Sequence, residues 1–327
     1  MSGQTEEAIK DFVKKVLLEK KPKIFHVSWF GGEPLLGIKS IISLSQYFQN
    51  LSIENQASYS SSITTNGYLL TKGKFKRLVE ECSVRNFQIT IDGDEEHHNF
   101  QRVLKGGGGS YQRILENLIS MQGSDLDYSC TLRFNITKEN LESVEKFLDG
   151  DGRSFKGDSR FNLHYHNVGN WGCGERSKDY SVTILPKDLT FELSKKAIEK
   201  GYNVPSVNTV ITNLFNCYAN RPNHYTINVK GIIQSCTVAL YDAQNIFGSV
   251  HTKLNERKFK SWKLQFDSRC TDCPVALICK SGYCPPVHNG DKRWRFCEQI
   301  KRRIDSNLDL FLMNNEYNDY LDIEERR

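Results

Sequence analysis

No stretch of this 327-residue chain approaches the roughly 20 consecutive apolar residues that carry a helix across a bilayer. The opening segment, MSGQTEEAIKDFVKKVLLEKK, also lacks the apolar core of a secretion signal. Together these absences set the expectation of a cytoplasmic protein with no membrane partner. Charge of one sign is missing too: 44 Lys and Arg face 39 Asp and Glu, a net charge of +5, and no long basic run occurs. That balance argues against a nucleic-acid partner and leaves a peptide or protein partner open. A glycine run at 106–109 is followed by no Walker lysine and hydroxyl and closes no GxGxxG unit. It reads as a loop, not a phosphate cradle.

Apolar residues make up 38% of the chain, with 18 Phe and 14 Tyr, enough for a substantial core. Short apolar runs alternate with amphipathic stretches through the first half. Strands are expected at 24–30, 59–65, 87–92, 128–136 and 161–166, with helices at 38–49, 71–82, 111–121 and 138–148. A further helix is expected at 188–200. Strands alternating with helices of about ten residues predict βαβ units, hence an α/β fold around a parallel sheet. A partial barrel and an open doubly wound sheet both fit, and both place ligands at the C-terminal strand ends.

Three successive strand ends carry small and polar residues. Gly31, Gly32, Glu33 and Pro34 follow the first strand, Thr65, Asn66 and Gly67 the second, and Asp92 and Gly93 the third. His97, His98, Asn99 and Arg102 come soon after. Any one of these is also an ordinary turn. Their recurrence points to a ligand site, where glycines admit close backbone approach and Glu33 offers a carboxylate to a cation. His97 and His98 read as loop residues. His164 and His166 share one strand face, as a core pair or a substrate contact.

Ten cysteines are unevenly spread. Only Cys82, Cys130 and Cys173 precede residue 200, whereas seven lie from Cys217 to Cys297. In a reducing compartment such clustering argues for metal ligation over disulfides. Cys270, Cys273, Cys279 and Cys284 follow Cys217 and Cys236, and Cys297 closes the series. Only one clean CxxC occurs, where a zinc ribbon wants two knuckles. Iron–sulfur clusters take four thiolates each, which seven cysteines do not divide into evenly. A zinc site, one cluster and two clusters with a non-cysteine ligand all stand as readings. Cys82 and Cys130 fall in regular elements and read as core residues.

The motifs WFGGEPLL (29–36), ITTNG (63–67), ITIDG (89–93) and HHNFQRVLKGGGGSY (97–111), with Gly231 inside the cysteine series, resemble radical S-adenosylmethionine enzymes carrying a SPASM domain. This family includes anaerobic sulfatase maturases and other peptide maturases, and the resemblance spans residues 24–301. It implies a partial (β/α)6 barrel lacking its first strand over 1–172, and a connecting stretch with a helix over 173–210. A small iron–sulfur domain would span 211–301, and a charged helical tail 302–327. It further implies that Gly31, Gly32 and Glu33 hold the amino group of S-adenosylmethionine, Thr90 the ribose side, and Arg102 the carboxylate. Cys270, Cys273, Cys279 and Cys297 would hold a distal auxiliary 4Fe-4S cluster, and Cys217, Cys236 and Cys284 a proximal one. The partners implied are a peptide or protein substrate and an electron donor such as flavodoxin or ferredoxin.

Two departures accompany the resemblance. The family's CxxxCxxC motif, which holds the cluster that cleaves S-adenosylmethionine, has no counterpart before Cys82. The expectation is a chain truncated ahead of that motif. As written it would be a non-catalytic iron–sulfur protein, and in its full-length form an enzyme that abstracts hydrogen from a peptide. Second, sulfatase maturases carry an aspartate after the cysteine corresponding to Cys236, where this chain has Thr237. A zinc-binding interaction module on an α/β domain is the third reading.

Overall fold

The computed structural model describes residues 1–168, 189–204, 217–263, 268–276, 297, 298, 301, 302 and 304–313. Cys173, Cys279 and Cys284, with most of the expected 173–210 stretch, lie outside the described residues. Those described fall into two compact units, one on 3–168 and 189–204, the other from 217 onward.

The first unit opens with helix α1 (Gly3–Lys20), which the sequence reading passes over. Its Ile9 and Leu17 are buried, and Ser40 donates a hydrogen bond to Glu6. Strand β1 (Ile24–Trp29) follows, then α2 (Ile38–Glu54), β2 (Ser58–Thr65), α3 (Lys72–Cys82) and β3 (Val84–Thr90). Next come α4 (Glu95–Gln101), α5 (Tyr111–Gln122), β4 (Ser129–Ile136), α6 (Leu141–Asp149) and β5 (Phe161–Asn167). Helix α7 (Leu189–Glu199) packs against β5.

All five strands are parallel and lie in sequence order, β1-β2-β3-β4-β5. The fold is therefore α/β with a five-stranded parallel sheet, as the alternation predicts. Along β2 to β5 one set of side chains is buried and the other largely half-exposed, and along β1 half-buried residues alternate with exposed ones, the period-two signature of a sheet with two unlike faces. Ile63, Phe87, Ile89, Cys130, Leu132, Phe134, Ile136, Phe161 and Leu163 form the buried set, each at most 2% exposed. Each large apolar side chain buried there contributes about 2 kcal/mol.

The opposite face is polar except for the exposed Ile24 at the start of β1. Thr64, Gln88, Thr131 and Asn162 stand in register across β2 to β5, and Thr90, Arg133 and His164 form the next row. At the β1 edge the two nitrogens of His26 lie 2.9 and 3.0 Å from Ser60 Oγ and Ser62 Oγ, and Ser28 Oγ lies 2.6 Å from Ser62 Oγ. A sheet covered on both faces by apolar layers would bury these groups at a cost, so this face is built for polar company.

The second unit holds a small antiparallel sheet of β6 (Thr226–Ile227), β7 (Ile232–Gln234) and β8 (Gly248–Ser249), followed by helix α8 (Glu256–Trp262). Gly231 has φ +79° just before β7, and a Cβ there would lie 2.6 Å from Val250 Cγ2. Its place in the cysteine series is thus dictated by a tight turn.

Candidate functional site

The first strand-end loop is tied to the second through one carboxylate. Glu33 Oε1 accepts hydrogen bonds from Leu35 N at 2.9 Å and Thr65 Oγ1 at 2.7 Å, and Oε2 accepts Asn66 N at 2.9 Å. Thr65 Oγ1 in turn accepts Gly67 N at 3.2 Å. Gly67 has φ +78°, and a Cβ there would meet Ile89 Cγ2 at 2.8 Å, so glycine alone fits this turn. The ITTNG sequence therefore closes a turn that presents a hydroxyl and a backbone N–H to Glu33.

Gly31 and Gly32 differ in kind from Gly67. Both are exposed, neither has a positive φ, and a Cβ on either would meet nothing within 4 Å. Nothing in the fold demands glycine at these two positions. Their backbone is open to close approach by a bound molecule, with the fixed Glu33 carboxylate beside it.

Asp92 organises the third and fourth strand ends, a role the sequence reading gives it no part in. It is 1% exposed. Its Oδ1 accepts both Asn135 N (3.0 Å) and Asn135 Nδ2 (3.1 Å), and its Oδ2 accepts Arg102 Nε at 2.6 Å. Arg102, expected to meet a cofactor carboxylate, thus has its Nε committed to Asp92. Asn140 Nδ2 bonds the carbonyls of Asp92 and Asn135, at 3.3 and 2.8 Å.

Residues 95–101, read from the sequence as part of a loop with His97 and His98, form helix α4 instead. Asp94 caps it, accepting His97 N at 3.1 Å, and Glu95 and Glu96 occupy its first turn. Acidic residues there suit the positive end of the helix dipole, a signal present in the sequence. His98 is fully buried. Its Nδ1 accepts Asp92 N at 3.2 Å, which leaves the proton on Nε2, 3.1 Å from Ser110 Oγ. Ser110 Oγ donates to Arg102 O at 3.2 Å. Asp92, His98, Ser110 and Arg102 therefore close a ring. Burial pushes the His98 imidazole down to about 4, with the Asp92 carboxylate pulling the other way. It is neutral at physiological pH.

The loop at 106–109 is a turn, with Gly107 N donating to Leu104 O at 2.9 Å. At Gly109 a Cβ would collide with the Asn99 side chain, whose Oδ1 accepts Ser110 N (2.8 Å) and Tyr111 N (3.0 Å) at the start of α5. Thr90 lies at the end of β3 in register with Arg133, itself in register with His164. Arg133 Nε donates to Asn135 Oδ1 at 3.1 Å, and burial lowers its guanidinium below the ordinary value while Asp92 opposes the shift. His164 and His166 share the polar face, their rings 6.1 Å apart and half-buried. Gly31, Gly32, Glu33 and Thr90 thus sit at the C-terminal ends of the first and third strands or in the loop that follows, and Arg102, at the end of α4, is tied back to Asp92 just after β3.

In the second unit, Cys236 is buried and Cys217 half-buried. Val238 N and Ala239 N each lie 3.4 Å from Cys236 Sγ and donate to it. Burial pushes the Cys217 thiol up, while the backbone N–H groups of Ala219 and Asn220 and the charge of Lys263 pull it down and Cys236 pushes it further up. Two sulfurs, each facing a pair of N–H donors, fit iron–sulfur ligation, where N–H···S bonds support the anionic cluster. Among the described residues no three His, Cys, Asp or Glu side chains gather to hold a metal ion. Cys270, Cys273 and Cys297 are half-buried and do not form such a group by themselves. Cys82 and Cys130 are fully buried, as read, and burial raises both thiols, Cys82 to about 11.

Thr237, following Cys236, has its Oγ1 2.5 Å from the hydroxyl of Tyr218, which follows Cys217. The two cysteine segments are thereby linked side by side.

Residues 3–149 match the model of the radical SAM superfamily. A cysteine-type anaerobic sulfatase-maturating enzyme of Clostridium novyi (strain NT) is 24% identical over 310 residues, spanning 85% of this chain and 79% of that protein. Among solved structures, native anSMEcpe with bound AdoMet and a Kp18Cys peptide resembles the chain with a TM-score of 0.64. Identity is 16%, and the match covers 98% of this chain and 91% of the other. Native anSMEcpe with AdoMet alone matches equally well. At that identity the likeness speaks for the fold.

Proposed function

We infer that this chain, whose residues 3–149 form a radical SAM domain, is a peptide or protein maturase that binds S-adenosylmethionine at its strand ends. The radical SAM match supports an enzyme, and the likeness to a sulfatase-maturating enzyme supports the maturase type. One observation carries the binding reading: Glu33 is held by three donors beside two glycines that the fold itself does not require.

The cofactor's ammonium group fits Glu33, and its approach is admitted by Gly31 and Gly32. Thr90 would line the ribose side. A cofactor carboxylate would meet the terminal nitrogens of Arg102, since its Nε serves Asp92. S-adenosylmethionine, when bound with a reducing cluster, supplies radical chemistry that takes a hydrogen atom from carbon. The chain's part is to hold and orient. A carboxylate with three preset donors needs no rearrangement on binding, and preorganisation of this kind raises affinity. We read the sheet as a partial barrel whose polar face of Gln88, Thr131, Arg133, His164 and His166 receives the substrate peptide.

In the same reading, residues 211–301 are a SPASM domain. Cys217, Cys236 and Cys284 bind a proximal auxiliary 4Fe-4S cluster, and Cys270, Cys273, Cys279 and Cys297 a distal one. With Thr237 in place of the aspartate that sulfatase maturases carry, formylglycine formation is the less favoured of the family's modifications. A second reading, cluster and cofactor binding without cleavage, is favoured by the lack of any CxxxCxxC among these 327 residues.

Calorimetric titration of the anaerobically reconstituted chain with S-adenosylmethionine tests the proposal, followed by chromatography for 5′-deoxyadenosine under dithionite. Binding that Glu33→Ala abolishes supports the site, and the absence of binding would sink it. Release of 5′-deoxyadenosine supports the enzyme, whereas binding without release supports the second reading.

A further inference from the structure

We propose that Lys263 is a fixed countercharge for the cluster on Cys217 and Cys236, raising its reduction potential. The inference rests on the reading of these cysteines as cluster ligands. Lys263 ends α8, where the backbone leaves the helix with φ −70° and ψ 139°. Its Nζ donates to Ala219 O at 2.8 Å and to Ser235 Oγ at 2.5 Å. Ala219 lies two residues after Cys217, and Ser235 immediately precedes Cys236. The ammonium group therefore bridges the two cysteine-bearing segments. It also lies 4.1 Å from the centroid of the Phe259 ring.

These contacts are neutral. Among the described residues no carboxylate pairs with Lys263, whereas Lys196 and Lys200 bond Glu145 and Asp149; Lys258 likewise bonds only carbonyls, those of Ala243 and Ile246, but bridges no cysteine segments. A half-buried cation without an anion is costly, and such groups persist where a charge of opposite sign completes them. The anionic group that the site calls for is a thiolate-bound cluster. Ser235 Oγ donates onward to Ala219 O at 2.9 Å, and Ser235 N donates to Asn245 Oδ1 at 3.0 Å, so the groups around the ammonium are themselves held by hydrogen bonds. The reduced cluster carries one more negative charge than the oxidised one. A cation held beside it favours the reduced form, as do the two N–H groups aimed at Cys236 Sγ.

The test uses the full chain, reconstituted anaerobically, as wild type, Lys263→Arg and Lys263→Gln. Iron and sulfide per chain are measured first, then the potential at which the reduced EPR signal appears. Glutamine keeps a hydrogen-bond donor and removes the charge; arginine keeps both. The expected result is a K263Q protein with wild-type iron content and one signal moved to lower potential, with K263R near wild type. Loss of iron in K263Q alone would count against the proposal, because a tuned potential requires a cluster that still assembles. Equal potentials in wild type and K263Q would overturn it, as would equal loss of iron from both variants, which would make the lysine a structural tie. A wild type that takes up no iron would instead remove the cluster reading beneath it.

Discussion

Thr65 donates its hydroxyl to Glu33 Oε1 at 2.7 Å, joining two strand-end loops 32 residues apart in the chain. Thr65 Oγ1 itself accepts Gly67 N, so the threonine is fixed from both sides.

Because Thr65 orients the carboxylate, Thr65→Val should weaken S-adenosylmethionine binding about tenfold and cost the fold about 1 kcal/mol for the lost hydrogen bonds. Thr65→Ser keeps the hydroxyl and should bind as wild type does. Calorimetry on the three proteins, with urea unfolding alongside, checks this. Equal affinity in the valine variant would show that Glu33 needs no such support.

The glycines of adjoining loops should respond oppositely to substitution. Gly67→Ala forces a Cβ into Ile89 at a positive φ and should destabilise the fold by about 1–3 kcal/mol. Gly31→Val meets open space, so stability should stay within about 0.5 kcal/mol while cofactor affinity falls at least tenfold. Thermal unfolding and cofactor titration of both variants separate the two roles. A Gly31→Val protein that binds normally would exclude this loop from the site.

His98 predicts a pH dependence. Its imidazole, at about 4 in the folded chain and about 6.5 when unfolded, is protonated more readily by the unfolded state. The stability it confers is complete above pH 6.5 and is lost as pH falls toward 4, by about 3 kcal/mol in all. Asp92 lowers this penalty, whereas Arg102 and His97 add to it. Denaturant unfolding of wild type between pH 4.5 and 6.5 should be steeper in pH than that of His98→Gln, by about 1.4 kcal/mol per unit. Parallel slopes would mean that the ring titrates normally.

Cysteine replacements should sort by location. Cys236→Ser should lower iron content after reconstitution, while Cys130→Ser should leave it unchanged and cost stability, since that thiol is buried among apolar side chains. Iron loss from both alike would mean that the two cysteines are not distinguished by ligation.

Much of the first unit was legible along the chain. Apolar runs of period two and helices of about ten residues located the five strands of the parallel sheet, and glycines after three of them marked the end proposed to bind the cofactor. Helix α1 was also within reach, because Ile9 and Leu17 in GQTEEAIKDFVKKVLLEK mark one buried face. Helix α4 was obscured by two histidines and an asparagine, residues of modest helix propensity, although Asp94 and its acidic first turn announce it. The cysteine series and Gly231 could be singled out by spacing.

What local pattern determined, then, was the order of elements, the face that is buried and the strand ends that carry glycines and polar residues, because each depends on residues a few positions apart. Tertiary structure alone decided that Thr65 and Asn66 hold Glu33, that Asp92 claims Arg102 Nε, and that Lys263 reaches across to Ala219 and Ser235. A hydrogen bond is set by separations of about 3 Å, and residues tens of positions apart reach that range only once the sheet register and the turns are in place.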